Sequence, residues 1–292
     1  MNILVVGYGS AGKRHAANVR ALGHESIVTD RENGPILAAT TDGFQTSIPD
    51  DGIDAAVIAT PASEHGFNLR QIARIFPTAR VLVEKPLGLA AHAFDGIPAS
   101  VTARVSVAYN WRRHQLVRGL VAKVKADGLV WAPSVAAFWC RCDMRAWPGK
   151  TYADALLEMS HEIDLALALC GPATLLDAVN DGRGAWTLAL QHESGTRSEV
   201  AIDGTSPVRE RGCGVQIGDA TAGYTVDYAD PMEDTCIAAS YRETLRAFLE
   251  DDGDTFHGLA TFEDGLAVLR LCDEARKIAH FSRVRRLTHG DL

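Results

Sequence analysis

A glycine-rich turn at the start of the chain constrains its fold more than any other feature. An aliphatic run, Ile3 to Val6, is followed by Gly7, Gly9 and Gly12 in GxGxxG spacing, and helical periodicity continues beyond them. A strand, a tight glycine turn and a helix in this order are typical of dinucleotide-binding domains. The first glycine permits the turn, the second lets the backbone approach a pyrophosphate, and the third allows close packing of helix and strand. We therefore expect residues 7–12 to bind a pyrophosphate at the N-terminus of a helix.

The second predicted strand, residues 26–30, ends in an acid that bears on the choice of cofactor. Asp30 lies 18 residues beyond Gly12, close to the ~20 expected for the carboxylate that accepts hydrogen bonds from the adenosine ribose. A carboxylate repels a 2′-phosphate, which favours NAD. Arg31 follows directly and leaves NADP open, because a guanidinium can stack on adenine or hold a 2′-phosphate. The structural alternative is that Asp30 simply begins a turn.

Strands and helices alternate up to about residue 110, which predicts a doubly wound parallel sheet. Ligands of such sheets bind beyond the carboxyl ends of the strands. Three further predicted strands, over 54–59, 79–83 and 102–107, are followed by Thr60-Pro61, Glu84-Lys85-Pro86 and Tyr109-Asn110. We also expect a short helix over 35–41, a short strand over 44–46 and a helix over 64–75.

The second half of the chain has a different organisation. The pattern predicts a helix over 115–126, a strand over 135–142 and a long helix over 152–169 that stops at Gly171-Pro172. Shorter alternating runs near 185–191, 199–203, 214–218 and 224–228 indicate an antiparallel sheet, and helices near 235–250 and 262–280 close the chain. The predicted fold class is α/β, with an N-terminal Rossmann doubly wound parallel sheet over 1–114 and a C-terminal α+β domain over 115–292.

Composition argues against several classes of partner. The chain has 292 residues and a formal net charge of −8, which disfavours nonspecific binding to nucleic acid or an anionic membrane. No apolar run reaches the ~20 residues of a membrane helix, and the first residues fit a strand rather than a signal peptide. Six scattered cysteines then favour reduced thiols in the cytoplasm. Cys140 and Cys142 form a lone CxC pair, which favours packing over zinc, and we expect no metal site.

Glu84-Lys85-Pro86 is the first stretch beyond the glycine turn that indicates chemistry. Proline fixes the backbone, so that Lys85 projects from a rigid turn at a strand end. A lysine over the nicotinamide end of a cofactor can orient a substrate hydroxyl or lower its pKa. The structural alternative is a surface lysine after a strand.

The predicted helix over 152–169 carries a second group of candidates. Asp154, Glu158 and His161 lie along one stripe, and His161 also shares a side with Asp164. A carboxylate one turn away can hold a histidine in one tautomer and let it take a proton near neutral pH. The structural alternative is that the acids complement the helix dipole and the histidine is solvated.

With these motifs the chain resembles the Gfo/Idh/MocA family of glucose-fructose oxidoreductase, inositol dehydrogenase and a rhizopine-catabolism protein. The matching segments are ILVVGYGSAGKRH, ATPASEH, VEKP, Tyr109-Asn110 with Arg112, and ALLEMSHEIDLA. The resemblance implies a Rossmann domain followed by a domain with a large open, mainly antiparallel sheet. It implies NAD(P)-dependent oxidation or reduction at a carbon of a sugar, cyclitol or sugar nucleotide, and homodimers or homotetramers that pair through the outer face of that sheet.

Carried over residue by residue, the resemblance places Lys85 at the active site and makes His161 the acid/base. His161 would take a hydroxyl proton while a hydride moves to the nicotinamide, and Lys85 would hold the same oxygen. The family aspartate four residues before the histidine is here Leu157, which leaves Glu158 or Asp154 as its replacement.

These arguments give two sets of expected contacts. We expect the cofactor at Gly7, Tyr8, Gly9, Ser10, Ala11, Gly12, Asp30, Arg31, Thr60, Pro61, His65, Glu84, Lys85 and Asn110. We expect the substrate at Lys85, Tyr109, Trp147, Tyr152, Asp154, Glu158 and His161, with Lys85, Glu158 and His161 catalytic. An anionic substrate group could be held by Arg112, Arg113, Arg141, Arg145 or Lys150, although an ordinary solvated charge is the favoured interpretation for any single one of them.

Two other functions stay open at this point. Some relatives keep NAD bound and use transient oxidation to eliminate or hydrolyse a glycosidic bond. A non-catalytic, cofactor-sensing regulator on the same fold would not need to retain Lys85 and His161, so their joint presence favours catalysis.

Overall fold

A computed structural model describes residues 1–49, 52–146, 155–250 and 258–281. The chain forms two compact units. The first unit combines Met1–Asn110 with Tyr241–Leu269, and the second unit combines Trp111–Ser240 with Arg270–Leu292. The sequence-based division between residues 114 and 115 differs from this arrangement, because it assigned residues 241–269 to the second domain. They belong to the first unit because Leu245, Phe248 and Leu249 are buried in its hydrophobic core.

The first unit is built on a six-stranded sheet. Its strands are β1 (Asn2–Val6), β2 (Glu25–Thr29), β3 (Ala55–Ile58), β4 (Arg80–Val83), β5 (Val105–Val107) and β12 (Ala260–Thr261). They are ordered β12-β5-β4-β3-β1-β2, with β1 to β5 parallel and only β12 antiparallel to its neighbour. Residues in the middle of β1, and all of β3, are buried, as expected for strands covered on both faces. The predicted parallel doubly wound sheet is confirmed.

Helices connect the parallel strands of this sheet, and the order of the strands determines where a ligand-binding crevice is expected. They are α1 (Ser10–Ala21), α2 (Asn33–Thr41), α3 (His65–Ile75) and the short α4 (Ala99–Thr102). Because β2 and β3 lie on opposite sides of β1, the chain reverses its winding direction at β1, where such sheets bind ligands. The predicted strand over 44–46 is wrong, since only an isolated bridge joins Gln45 to Ile27.

The second unit is built on a seven-stranded sheet. Its strands are β6 (Val135–Asp143), β7 (Ala173–Asn180), β8 (Ala185–His192), β9 (Arg197–Asp203), β10 (Thr205–Ile217), β11 (Ala220–Asp227) and β13 (His280–Phe281). They are ordered β11-β10-β6-β9-β8-β7-β13, and all neighbours are antiparallel except the pairs β6–β9 and β7–β13. This confirms the predicted mainly antiparallel sheet.

The sequence pattern did not predict strand β7, and the reason is a local irregularity. Its pairing with β8 shifts register between Leu175 and Asp177, and a bulge of this kind breaks the two-residue alternation of buried and exposed side chains. The exposed Leu176 lies at that irregularity.

The remaining helices correct one important prediction. They are α5 (Gln115–Ala126), α6 (Ala155–Glu158), α7 (His161–Cys170), α8 (Pro231–Glu250) and α9 (Phe262–Ile278). The single helix predicted over 152–169 is wrong: a turn at Met159 and Ser160 separates α6 from α7. The amide of Ser160 bonds to the third residue before it instead of the fourth, which tightens the chain there. Among the described residues, no helix is long and apolar enough to cross a bilayer.

Candidate functional site

The glycine turn between β1 and α1 contains three glycines with different surroundings. Gly7 has a φ of +95°, and its N–H donates to the carbonyl oxygen of Thr29 at 2.8 Å. A Cβ on Gly12 would lie 1.9 Å from the carbonyl oxygen of Gly7, whereas a Cβ on Gly9 would meet no atom within 4 Å. Gly7 and Gly12 are thus required by the packing of the chain itself, and Gly9 leaves the turn open for a ligand to approach.

The N-terminus of α1 adds hydrogen-bond donors at this turn. The helix begins directly after Gly9, with no side chain capping it and no acid in its first turn. Its first intrahelical bond runs from the N–H of Lys13 to the carbonyl of Gly9, so the N–H groups of Ser10, Ala11 and Gly12 have no acceptor within the helix. Such groups, with the positive end of the helix dipole, bind anions such as a pyrophosphate.

Tyr8 lies in the turn, but its side chain is buried in the first unit. Its hydroxyl donates to Asp42 Oδ2 at 2.7 Å, and its ring packs edge-on against Phe44. Burial, followed by the bond and charge of Asp42, raises the pKa of Tyr8 to about 12. Its backbone N–H donates to Asp30 Oδ2 at 2.7 Å. Tyr8, expected to bind the cofactor, therefore has its phenol and its amide engaged within the protein.

A cleft of about 440 Å³ opens beside this turn. It is lined by residues from the carboxyl ends of three adjacent strands and the segments that follow them: Val6, Gly7, Gly9, Thr29, Asp30, Arg31, Glu32, Pro35, Ala59, Thr60, Pro61, Glu64 and Asn68. Six of the expected cofactor residues are among them. Glu64 and Asn68 were missed, because their place on the cleft depends on how α3 and the 3₁₀ turn before it follow β3.

Two charged residues at the end of β2 are held in place. Asp30 accepts a second backbone bond, at 3.0 Å from the N–H of Glu32 to Oδ1. The guanidinium of Arg31 donates from Nη1 to Glu64 Oε1. The carboxylate of Asp30 is thus fixed by two backbone bonds, and Arg31 is paired with an acid.

The turn after β4 carries Lys85 on a supported backbone. The peptide bond between Lys85 and Pro86 is cis, and Lys85 is half-buried. The buried Glu84 accepts from the N–H of Lys85 at 3.0 Å and lies 2.7 Å from Nε2 of the fully buried His15. Burial alone would raise the pKa of Glu84, but the bond to His15, the charge of His15 and Lys85 together lower it. Glu84, expected at the cofactor, therefore joins α1 to the lysine turn.

His65 performs a similar supporting role. Its ring is buried, with Nε2 at 2.8 Å from the carbonyl oxygen of Thr60 and Nδ1 at 3.1 Å from that of Pro86. Burial lowers the pKa of His65, against the opposing effect of these carbonyls. Both ring nitrogens are thus directed at backbone oxygens, so the histidine ties the end of β3 to the lysine turn instead of offering a nitrogen to a ligand.

The remaining predicted site residues within the described ranges lie just after β5, at the end of α6 and at the start of α7. Tyr109 and Asn110 are buried just beyond β5. In the second unit, His161 is the first residue of α7 and is 5 % exposed, and Glu158 is the half-buried last residue of α6.

The expected substrate residues Trp147, Tyr152 and Asp154 lie outside the described residues, as does Lys150.

The acids of α7 have partners that the sequence did not suggest. Glu162 Oε1 lies 2.6 Å from Nε of Arg211 on β10, and both side chains are buried. Despite burial, Glu162 raises the pKa of Arg211. Asp164 accepts two bonds from Nε and Nη2 of Arg112, at 3.0 and 2.7 Å. Arg112, a candidate for an anionic substrate, instead anchors α7, and Asp164 is committed to that pair.

Other proposed basic residues are also paired within the second unit. Arg141 lies 3.2 Å from Glu210, and Arg145 lies 2.6 Å from Asp143. Arg113 is buried.

The two cysteines of the CxC pair do not have the features of reactive thiols. Cys140 and Cys142 are buried and unbridged. Burial raises the pKa of the Cys140 thiol to about 12 and that of Cys142 to about 11, so neither is a thiolate near neutral pH. Within the described ranges, no cluster of metal-ligating side chains occurs.

Comparison with known families identifies the first part of the chain. Residues 1–97 match the model of GFO_IDH_MocA, an oxidoreductase family with an NAD-binding Rossmann fold. A ketol-acid reductoisomerase (NADP(+)) from Xylella fastidiosa is 38 % identical over 65 residues, which cover 21 % of this chain and 19 % of that protein. The chain thus spans about a fifth of the length of that curated relative.

Solved structures share the whole architecture. A myo-inositol dehydrogenase from Corynebacterium glutamicum superposes with a TM-score of 0.77 at 18 % identity, covering 96 % of each chain. The WlbA dehydrogenase from Bordetella pertussis, in complex with NADH and UDP-GlcNAcA, has a TM-score of 0.74 at 18 % identity, covering 95 % of each chain. At these identities the likeness establishes the fold.

Proposed function

Because residues 1–97 match the model of the GFO_IDH_MocA family of oxidoreductases, we propose that the chain is an NAD-dependent enzyme of carbohydrate metabolism. It transfers a hydride between the nicotinamide and a hydroxyl- or carbonyl-bearing carbon of a sugar, cyclitol or sugar nucleotide. The substrate class is supported by the fold shared with an inositol dehydrogenase and a dehydrogenase bound to a nucleotide sugar.

The observation that carries the proposal is the open side of Gly9. A Cβ there would meet nothing within 4 Å, so folding alone does not explain a glycine at this position. The uncapped N-terminus of α1 begins next to it, and the cleft continues from it to Asp30. These residues fit a dinucleotide, with the pyrophosphate at Gly9 to Gly12 and the ribose hydroxyls at Asp30.

We propose NAD as the cofactor in preference to NADP. Asp30 cannot turn away from a 2′-phosphate without losing two backbone bonds. Glu32 and Glu64 add two carboxylates to the lining of the same cleft. A doubly charged phosphate there would meet three acids and a single, already paired arginine.

When bound, the nicotinamide supplies or accepts the hydride. The chain's own residues would bind and orient the substrate and move its proton. The Lys85 ammonium, on a backbone supported by Glu84 and His65, would stabilise charge developing on the substrate oxygen. His161 would take the hydroxyl proton in the direction of oxidation, and the two ion pairs of α7 would hold that histidine in place. Glu158 is proposed to assist it.

The remaining expected residues keep their proposed roles. Thr60, Pro61 and Asn110 would contact the cofactor, and Tyr109, Trp147, Tyr152 and Asp154 would contact the substrate.

We further propose that the protein acts in the cytoplasm as a homodimer or homotetramer paired through the second unit's sheet. Six free, buried cysteines suit a reducing compartment, and light scattering measures the assembly state.

The proposal is tested with a panel of sugars, inositols and sugar nucleotides, following nicotinamide absorbance with NAD and NADP. On the substrate so found, we expect His161→Ala to lower kcat about 10²- to 10⁴-fold while NADH still binds. Arg183→Ala, which removes an exposed cation of the same unit with no proposed role, serves as the control. Turnover that survives in His161→Ala would contradict the role of the histidine. Product formation without net change in NAD(H) would point instead to a lyase or glycosidase, and cofactor binding without any turnover to a sensor.

A further inference from the structure

We propose that Glu64 sets the preference for NAD over NADP by engaging the Arg31 guanidinium, which a 2′-phosphate would otherwise recruit. Glu64 is a positioning residue in this role, because it acts through Arg31. The inference rests on the proposed function, since it concerns the dinucleotide that the same cleft would bind.

The cleft offers a phosphate only one cation. Among the described residues that line it, Arg31 alone is positively charged, against Asp30, Glu32 and Glu64. Whether the chain can use NADP therefore depends on whether Arg31 is available.

Arg31, which follows β2, is hydrogen-bonded to an acidic residue that follows a different strand, β3. Its Nη1 donates to Glu64 Oε1, and Glu64 ends the short 3₁₀ helix Ala62–Glu64 that follows β3. The pair thus joins the segment after β2 to the segment after β3, and both partners line the cleft. Separated by 33 positions in the chain, they are brought together only by the parallel order of the sheet.

Glu32 offers a natural comparison. Its Oε1 lies 3.8 Å from Nε of Arg31, too far for a hydrogen bond. Glu32 and Glu64 each bring one negative charge close to the same guanidinium, but only Glu64 bonds to it. Neutralising each acid in turn therefore separates the effect of the bond from the effect of net charge.

The expected effect is modest, because the pair is partly solvated. The side chain of Arg31 is 67 % exposed and that of Glu64 is 26 % exposed. Ion pairs that are partly solvated change an equilibrium constant by only a few-fold. In Glu64→Gln the guanidinium is released from its carboxylate partner, and the local repulsion of a 2′-phosphate falls by one charge.

The experiment measures the ratio of the Kd of NADPH to that of NADH by equilibrium fluorescence titration of the full chain. The variants are Glu64→Gln, Glu32→Gln, Arg31→Gln and the double variant Arg31→Gln/Glu64→Gln. We expect the wild type to favour NADH and Glu64→Gln to lower the ratio about three- to fivefold, with a smaller change in Glu32→Gln. In the Arg31→Gln background, the effect of Glu64→Gln should fall to that of Glu32→Gln, which a double-mutant cycle isolates.

Equal effects of Glu64→Gln and Glu32→Gln would overturn the inference, since net charge alone would then set the preference. So would an effect of Glu64→Gln that persists without Arg31, or a wild type that favours NADPH. In the first two cases a dinucleotide still binds and the proposed function stands. A wild type that favours NADPH would also overturn the proposed choice of NAD, but not hydride transfer to or from a nicotinamide. A wild type that binds neither nucleotide would overturn both.

Discussion

The glycine turn of the first unit and helix α7 of the second unit present their functional groups by different physical means. At the turn, the proposed ligand surface is the backbone itself, and the missing side chain of Gly9 leaves open the space in which we propose that a pyrophosphate binds. At α7, the backbone is an ordinary helix, and arginines from β10 and from the segment before α5 pair with Glu162 and Asp164, which follow His161 on that helix.

This difference decides which amino-acid substitutions each region tolerates. At the turn, any Cβ at Gly12 collides with the main chain, which cannot move without disturbing β1. At α7, the vulnerable feature is charge: Glu162 and Asp164 are almost fully buried, and a buried carboxylate without its arginine is strongly destabilising. The first region is sensitive to volume and the second to charge balance.

The strongest test of this contrast is the Glu162–Arg211 pair. Arg211→Met should lower the free energy of unfolding by about 3–5 kcal/mol, because it leaves a buried carboxylate unpaired. The double variant Glu162→Leu/Arg211→Met should recover most of that loss, since an apolar pair needs no charge compensation. Urea unfolding followed by circular dichroism measures both. A single variant that costs under about 1 kcal/mol would show that charge balance does not hold α7.

The glycines provide the matching test in the first unit. Gly12→Ala should cost about 3 kcal/mol of stability, because its Cβ would lie 1.9 Å from a backbone oxygen. Gly9→Ala should cost only about 0.5 kcal/mol, the difference between these residues at a helix N-cap. It should nevertheless weaken NADH binding about tenfold, or ~1.4 kcal/mol, because the methyl group occupies the open side of the turn. Unfolding and NADH titration of both variants check this. Unchanged NADH binding in Gly9→Ala would contradict the placement of the pyrophosphate.

The stability of the protein in acid should test the contribution of Glu84, which contacts His15 and accepts a bond from the N–H of Lys85. The pKa of Glu84 is lowered below its ordinary value of 4.5, so its ionised form stabilises the folded state above about pH 4.5, and that contribution is lost as the pH falls through the folded pKa. Glu84→Gln should thus be less stable than wild type by about 2 kcal/mol at pH 7, and the gap should narrow below pH 4.5. Unfolding at several pH values measures it, with the exposed Glu250→Gln as control. A gap that widens in acid would reverse the sign of this assignment.

The smallest effect is expected at an exposed pair of the second unit. Arg145 lies as close to Asp143 as Arg211 does to Glu162, at 2.6 Å, but its side chain is 72 % exposed. Arg145→Met should therefore change stability by under about 0.5 kcal/mol in urea unfolding. A loss comparable to that of Arg211→Met would show that distance, and not burial, governs these pairs.

Much of the fold was predictable because its signals are local. The apolar runs of β1 and β3 identify buried strands, and the predicted helix over 115–126 coincides with α5. The prediction failed where local pattern and structure diverge. The apolar residues around Met159 continue a helical pattern through a turn that separates α6 from α7, and the bulge in β7 removes its alternation.

The candidate site was predictable to a similar degree. The glycine spacing and the residues after each strand predicted where the cleft lies. The bond between His15 and Glu84, 69 positions apart, had no local signal. The same holds for Arg211, whose place opposite Glu162 follows from the register of β10 against β6.

The sequence by itself determined where backbone can meet a phosphate, because GxGxxG spacing acts within one strand, one turn and one helix. Only the tertiary structure decided which charged side chains are paired within the protein and which remain available to a ligand. Asp164 and Arg112 neutralise each other, Arg31 is paired with Glu64, and His65 has turned both ring nitrogens to carbonyl oxygens. The physical reason is that a side chain's chemistry depends on its partners and its solvation, and both are set by residues that the sheet order brings together from distant parts of the chain.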